Sequence, residues 1–121
     1  MSEYAPSQKN QYDSVVVTGG TGFLGIHTCQ YFDNHGWDVT ALDLKSFNKK
    51  DDKAGINYLE KDVRDEENVS EAIEEADADV IVHSAAALPL WDDDEIWEVT
   101  VEGTRSVLWA AKEHDVERVV Y

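Results

Sequence analysis

A doubly wound α/β fold built on a parallel sheet is the class this sequence predicts, and three observations predict it. Short runs such as Val15-Val16-Val17 and Val80-Ile81-Val82 are apolar without alternation, which suits strands buried on both faces. Stretches with apolar residues at spacings of three and four separate these runs, and no hairpin turn signal joins any two of them. The first run breaks into glycine at positions 19, 20, 22 and 25 and then restarts as a helical pattern. Strand, turn and helix in that order make a parallel sheet with right-handed crossovers and helices on both faces. The three layers are helix, sheet and helix, with expected strand order 3-2-1-4-5.

Residues 1–12 are polar, contain Pro6 and show no period, so they read as a flexible lead-in to one domain over 13–121. The first strand is expected at 13–18 and the first helix at 23–34, stopped by His35-Gly36. Trp37 to Asp43 reads as the second strand and Ile56 to Glu60 as the third. Glu66 to Ala76 is an acidic helix with Val69, Ala72, Ile73 and Ala76 on one face. Asp79 to His83 is the fourth strand, and Leu88-Pro89-Leu90-Trp91 an apolar loop after it. A helix over 94–114 carries Ile96, Val99, Gly103, Val107 and Ala110 as its core stripe, with Gly103 allowing close approach to the sheet. Glu117 to Tyr121 opens a fifth strand, and the chain stops inside it.

At 121 residues with 42% apolar and 10% aromatic side chains, the chain is long enough and apolar enough for one modest core. No run approaches the roughly 18 apolar residues of a membrane span, and MSEYAPSQKNQYD lacks an apolar signal core, so a cytoplasmic setting is expected. The single Cys29 falls within the first helix and reads as a small packed residue. The formal charge of −16 argues against nucleic acid and anionic membrane surfaces as partners. It fits either a solvated surface or adaptation to high salt.

The chemistry starts at the glycines. Gly20, Gly22 and Gly25 satisfy G-x-G-x-x-G, and Gly19, Gly22 and Gly25 the wider G-x-x-G-x-x-G. One glycine permits the turn off the strand, a second removes the Cβ that would fend off a pyrophosphate, and the third lets helix and strand pack closely. The helix then turns its free N–H groups toward the phosphates. No Gly-Lys-Ser/Thr follows, so a dinucleotide is expected rather than a nucleoside triphosphate.

Asp43 ends the second strand 18 residues after Gly25, where a carboxylate takes both hydroxyls of an adenosine ribose and repels a 2′-phosphate. NAD is therefore expected over NADP. Lys45, Lys49, Lys50 and Lys53 lie nearby with interleaved Asp and read as solvated. Asp62-Val63, after the third strand, suits an adenine: the acid for the exocyclic amine and Val63 for the ring. His83 and Ser84 invite a base-and-nucleophile reading, but no partner acid is evident and neighbours on a strand point to opposite faces. Asp92-Asp93-Asp94 reads as a helix start favoured by the helix dipole rather than as metal ligands.

These residues resemble the extended short-chain dehydrogenase/reductase superfamily, in its NAD-dependent epimerase/dehydratase branch, over nearly all of 14–121. Thr18-Gly19-Gly20-Thr21-Gly22-Phe23-Leu24-Gly25 looks like its cofactor loop, and Gly25-Ile26-His27-Thr28-Cys29 is similar to UDP-galactose 4-epimerases. His83-Ser84-Ala85-Ala86 resembles the H-x-A-A segment lining the cofactor. The stretch from Val101 to Leu108 is similar to N-x-x-G-T-x-x-[VL]-L, with Thr100 in place of the Asn.

The resemblance implies a Rossmann-like fold holding NAD at Gly19, Gly22, Phe23, Leu24, Gly25, Asp43, Asp62, Val63, Ser84, Ala85 and Ala86. It also implies hydride chemistry on a nucleotide sugar, with a steroid- or flavonoid-type reductase or a non-catalytic dinucleotide sensor as alternatives. In relatives a Tyr-x-x-x-Lys pair and a Ser/Thr act after the fifth strand. No Tyr here has Lys four positions on, so the chain is expected to be the N-terminal cofactor part of a longer enzyme and inactive alone. Helices that pair subunits in relatives are only partly present, which leaves a homodimeric parent open.

Overall fold

The computed structural model of the chain describes residues 13–44, 55–85 and 92–121. The lead-in 1–12, the lysines at 45, 49, 50 and 53, Ala86 and the apolar loop 88–91 lie outside the described residues.

Five strands form one sheet: β1 (Ser14–Thr18), β2 (Asp38–Asp43), β3 (Ile56–Glu60), β4 (Val80–His83) and β5 (Arg118–Val120). Their order is β3-β2-β1-β4-β5, and every pairing is parallel. The order reverses between β1 and β4, where Thr18 stands opposite Leu42 on one side and His83 on the other. That switch point opens a crevice at the carboxyl edge of the sheet.

The apolar runs are continuous because both faces are covered. Val15 and Val17 pack with Cys29, Val39, Ala41, Ile56 and Val80 beneath α1 (Phe23–Asn34). Val16 points the other way, into Leu42, Ile81, Val69, Ile73, Val107 and Ala110. That second core lies under α2 (Glu66–Ala76) and α4 (Gly103–Glu113). All three valines of β1 are fully buried, and burial of one such side chain is worth roughly 1.5–3 kcal/mol.

Helix ends follow local chemistry. Gly36 takes φ +84 just after α1, as its position predicts. After α2 and α4 the left-handed position falls instead to Asp77 (φ 48) and Asp115 (φ 54), residue types that tolerate it. Asp65 caps α2 by accepting from the Glu67 N–H, and Asp92 caps α3 (Asp93–Trp97) by accepting from the Glu95 N–H at 2.9 Å.

Two expectations change in the long helix predicted over 94–114. It is interrupted by a π-helical turn at Glu98–Glu102, where the Gly103 N–H reaches back five residues to the Glu98 carbonyl. Val99, Val107 and Ala110 are buried as the stripe predicts, whereas Ile96, before the extra residue shifts the phase, is half-buried. Gly103 does allow close approach, but to Val63 in the β3–α2 loop rather than to the sheet. A Cβ there would stand 3.1 Å from Val63 Cγ1.

Cys29 is fully buried, with its thiol 3.8 Å from the Gly20 carbonyl, and burial pushes its pKa up to about 12. The folded protein should therefore resist alkylation near pH 8 and react only after unfolding; rapid labelling under native conditions would contradict this packing. Among the described residues, no helix is long and apolar enough to cross a membrane.

Candidate coenzyme site

The crevice at the switch point is lined by Gly19, Gly22, Leu42, Asp43, Leu44, Lys61, Asp62, Val63, Ser84, Ala85 and Val99. Gly19, Gly22, Asp43, Asp62, Val63, Ser84 and Ala85, named from sequence, thus meet in one cleft. Phe23 and Leu24 stand outside that lining, with exposed side chains on the first turn of α1.

The glycines divide by what surrounds them. Gly19 takes φ +67, donates its N–H to the Leu42 carbonyl at 2.8 Å and lies against the backbone just after β4, where a Cβ would come within 2.7 Å of Ala85 Cα. Gly20 would clash with Ala41, and Gly25 with the Gly19 carbonyl oxygen at 2.0 Å. Gly25 therefore packs the helix onto the glycine loop itself, not onto the strand as its spacing predicted. Gly22 differs: its φ is −75, and a Cβ would meet only Gly19 O, at an ordinary 3.4 Å. Nothing inside the described chain requires glycine at 22.

Gly22 is also the N-cap of α1. It offers no side-chain cap, and no acid lies in the first turn, although Asp and Glu number 26 in the chain. By contrast α2 and α3 are both capped by Asp, with Glu66 and Glu67, and Asp93, Asp94 and Glu95, in their first turns. The positive end of α1 thus faces the cleft without a carboxylate of its own.

Asp43 is held more tightly than expected. Its Oδ2 accepts the Thr21 N–H (3.1 Å) and hydroxyl (2.8 Å), and its Oδ1 accepts the Leu44 N–H (2.7 Å). Three of roughly four lone-pair sites are filled, leaving room for one ribose hydroxyl rather than two unless Thr21 turns away. The spacing of the glycines does not point to Thr21; its one signal in the sequence is a hydroxyl inside a glycine loop that precedes a strand-end acid.

Asp62 is likewise occupied. Arg64 lays its guanidinium across the carboxylate, with Nη2 to Oδ2 at 2.6 Å and Nε to each oxygen at 3.0 Å, and adds its backbone N–H at 2.9 Å. These bonds hold the Asp62 carboxyl below the ordinary carboxylate range. Val63 is buried beside it, and the Ser106 hydroxyl donates to the Arg64 carbonyl at 2.9 Å, tying the β3–α2 loop to α4.

On the opposite wall, Ser84 donates its hydroxyl to the Thr18 carbonyl at 2.6 Å. The His83 ring bonds Thr18 and Thr104, not Ser84. The pair is not a base and nucleophile.

A profile of the NAD dependent epimerase/dehydratase family matches residues 15–121. The chain belongs to the NAD-dependent epimerase/dehydratase family. Of the proteins it is similar to, a decarboxylating sterol-4-alpha-carboxylate 3-dehydrogenase of Saccharomyces cerevisiae is 34% identical over 93% of this chain and 34% of its own length. A low-salt glycan biosynthesis protein of Haloferax volcanii is 34% identical over 86% of this chain and 37% of its own. The crystal structure of Thermus thermophilus UDP-glucose 4-epimerase in complex with NAD superimposes with TM-score 0.78 at 30% identity, covering 88% of this chain and 36% of that one. The chain spans about a third of the length of these relatives.

Proposed function

We propose that this chain is the coenzyme-holding part of an NAD-dependent epimerase/dehydratase-type oxidoreductase that acts on a nucleotide sugar by transient hydride transfer. The observation that carries this reading is Gly22, a glycine that nothing among the described residues requires, at the bare positive end of α1. A pyrophosphate lying over Gly22 would take the N–H groups of Phe23, Leu24 and Gly25. Asp43 would take a ribose hydroxyl. Val63 would cover the adenine, whose amine competes with Arg64 for the Asp62 carboxylate. Ser84, Ala85 and Ala86 would line the far side.

Bound there, NAD supplies the acceptor and donor of the hydride; this chain's residues hold and orient it. None of its tyrosines has Lys four positions on, so these residues alone should bind coenzyme without turnover. A small dinucleotide in the cytoplasm, rather than nucleic acid or a membrane, is the partner this reading gives. The 34% identity to a sterol dehydrogenase favours a second reading, a steroid-type substrate on the same coenzyme scaffold.

Calorimetric titration with NAD and NADP side by side tests the proposal. NAD should bind at least ~10-fold more tightly than NADP, a difference of about 1.4 kcal/mol. Asp43→Ala should weaken NAD by a similar factor and narrow the gap to NADP. Unchanged NAD affinity in that variant would remove Asp43 from the ribose.

A further inference from the structure

His83 sits in a hydrogen-bond chain whose direction is fixed by its ends. The Thr104 hydroxyl lies 2.6 Å from the Thr100 carbonyl, which can only accept, so its hydrogen is committed there. The 3.1 Å contact between Thr104 Oγ1 and His83 Nε2 therefore has the ring as donor. On the other side, Thr18 Oγ1 accepts the N–H of Ala85 (3.3 Å) and that of Ser84 (3.1 Å), which Ser84 shares with the Thr18 carbonyl (3.2 Å). Its own hydrogen is left to point at His83 Nδ1, 2.7 Å away. Only a neutral imidazole protonated on Nε2 satisfies every partner. An Nδ1–H would compete with the Ser84 and Ala85 N–H groups for Thr18 Oγ1, and would strand the Thr18 hydrogen in a fully buried site.

The chain joins two walls of one cleft. At one end Ser84 and Ala85 line it; at the other Thr100 sits in the π-helical turn whose Val99 lines it. We propose that His83, fixed as the Nε2–H tautomer, is a positioning residue that ties the Ser84–Ala85 wall to the π turn and so sets the width of the coenzyme cleft. The role in binding rests on the NAD reading above; the tautomer and the tie do not. Burial also lowers the His83 pKa, which keeps the ring neutral.

The test uses the full chain, labelled with ¹⁵N. Long-range ¹H–¹⁵N spectra should show Nε2 protonated and Nδ1 bare for the one ring whose signals vanish in His83→Gln. A dominant Nδ1–H form or an averaged mixture would overturn the proposal. Thr104→Val removes the acceptor of the ring N–H and should speed amide exchange at Ser84 and Ala85 at least ~10-fold. Thr104→Ser restores the hydroxyl and should leave exchange within about twofold of the parent. Unchanged exchange in Thr104→Val would also overturn it. NAD affinity should follow the same order, falling several-fold in Thr104→Val and recovering in Thr104→Ser. Failure of the parent chain to bind NAD would defeat the coenzyme reading, while spectra and exchange would still decide the role of His83.

Discussion

Gly22→Val should leave the protein folded and remove most of its affinity for NAD, by at least ~10-fold, or about 1.4 kcal/mol. The backbone at 22 is ordinary for any residue, and among the described residues the nearest atom to an added Cβ is Gly19 O at 3.4 Å. An added side chain therefore projects where the pyrophosphate would lie, and the loss falls on the ligand. The control is Gly25→Ala, three residues on. There the Cβ would stand 2.0 Å from the Gly19 carbonyl oxygen and 2.7 Å from Gly20 Cα, neither of which can yield without moving the loop.

Overpacking of this kind costs about 1–3 kcal/mol or more, so Gly25→Ala should lower Tm by several degrees. Gly22→Ala should keep the parent Tm. Thermal melts and NAD titrations of the three variants separate the roles. If Gly22→Val melted early, or bound NAD as the parent does, the loop would have only a structural job.

That division shows where sequence reading reaches and where it stops. The glycine spacing was legible because each turn, strand and helix leaves its own local mark, and for the same reason the strands and α1 fall where expected. Which glycine is free to touch a ligand was not legible. That depends on Ala41 and Ala85, brought in by pairing of β1 with β2 and β4. Asp43 and Asp62 could be named from their places at strand ends. Their occupation by Thr21 and Arg64 could not, since side-chain choice among neighbours is settled by packing. The π-helical turn at Glu98–Glu102 has no apolar period of its own, so the spacing predicts continuous α-helix through it. The Thr18–His83–Thr104 chain joins residues 65 and 21 positions apart, a link no local pattern carries.

Salt should stabilise this protein and, against the usual rule for phosphate ligands, tighten its grip on NAD. The formal charge is −16, from 26 acids against 10 bases, within a domain whose radius of gyration is on the order of 13–14 Å. The screening length is about 30 Å at 0.01 M salt, so the carboxylates repel one another across the whole fold; at 1 M it is about 3 Å, and only contacts survive. Ion pairs among the described residues, such as Lys61 with Glu71 and Arg105 with Glu102, are partly exposed and offset little of this repulsion. Raising potassium chloride across that range should lift Tm by ~10 °C or more.

The same screening acts on the coenzyme. If the pyrophosphate is held by main-chain N–H groups at Gly22 and α1, salt weakens the long-range repulsion more than those short-range bonds. Affinity for NAD should then rise several-fold, and affinity for NADH, with one more negative charge, should rise further. A site built on lysines would respond in the opposite sense, because salt would screen the attraction itself. Titrations of both coenzyme forms in low and high potassium chloride distinguish the two arrangements. A fall in affinity with salt would shift the hold on the phosphates from the helix end to lysine side chains such as Lys61, which lines the cleft.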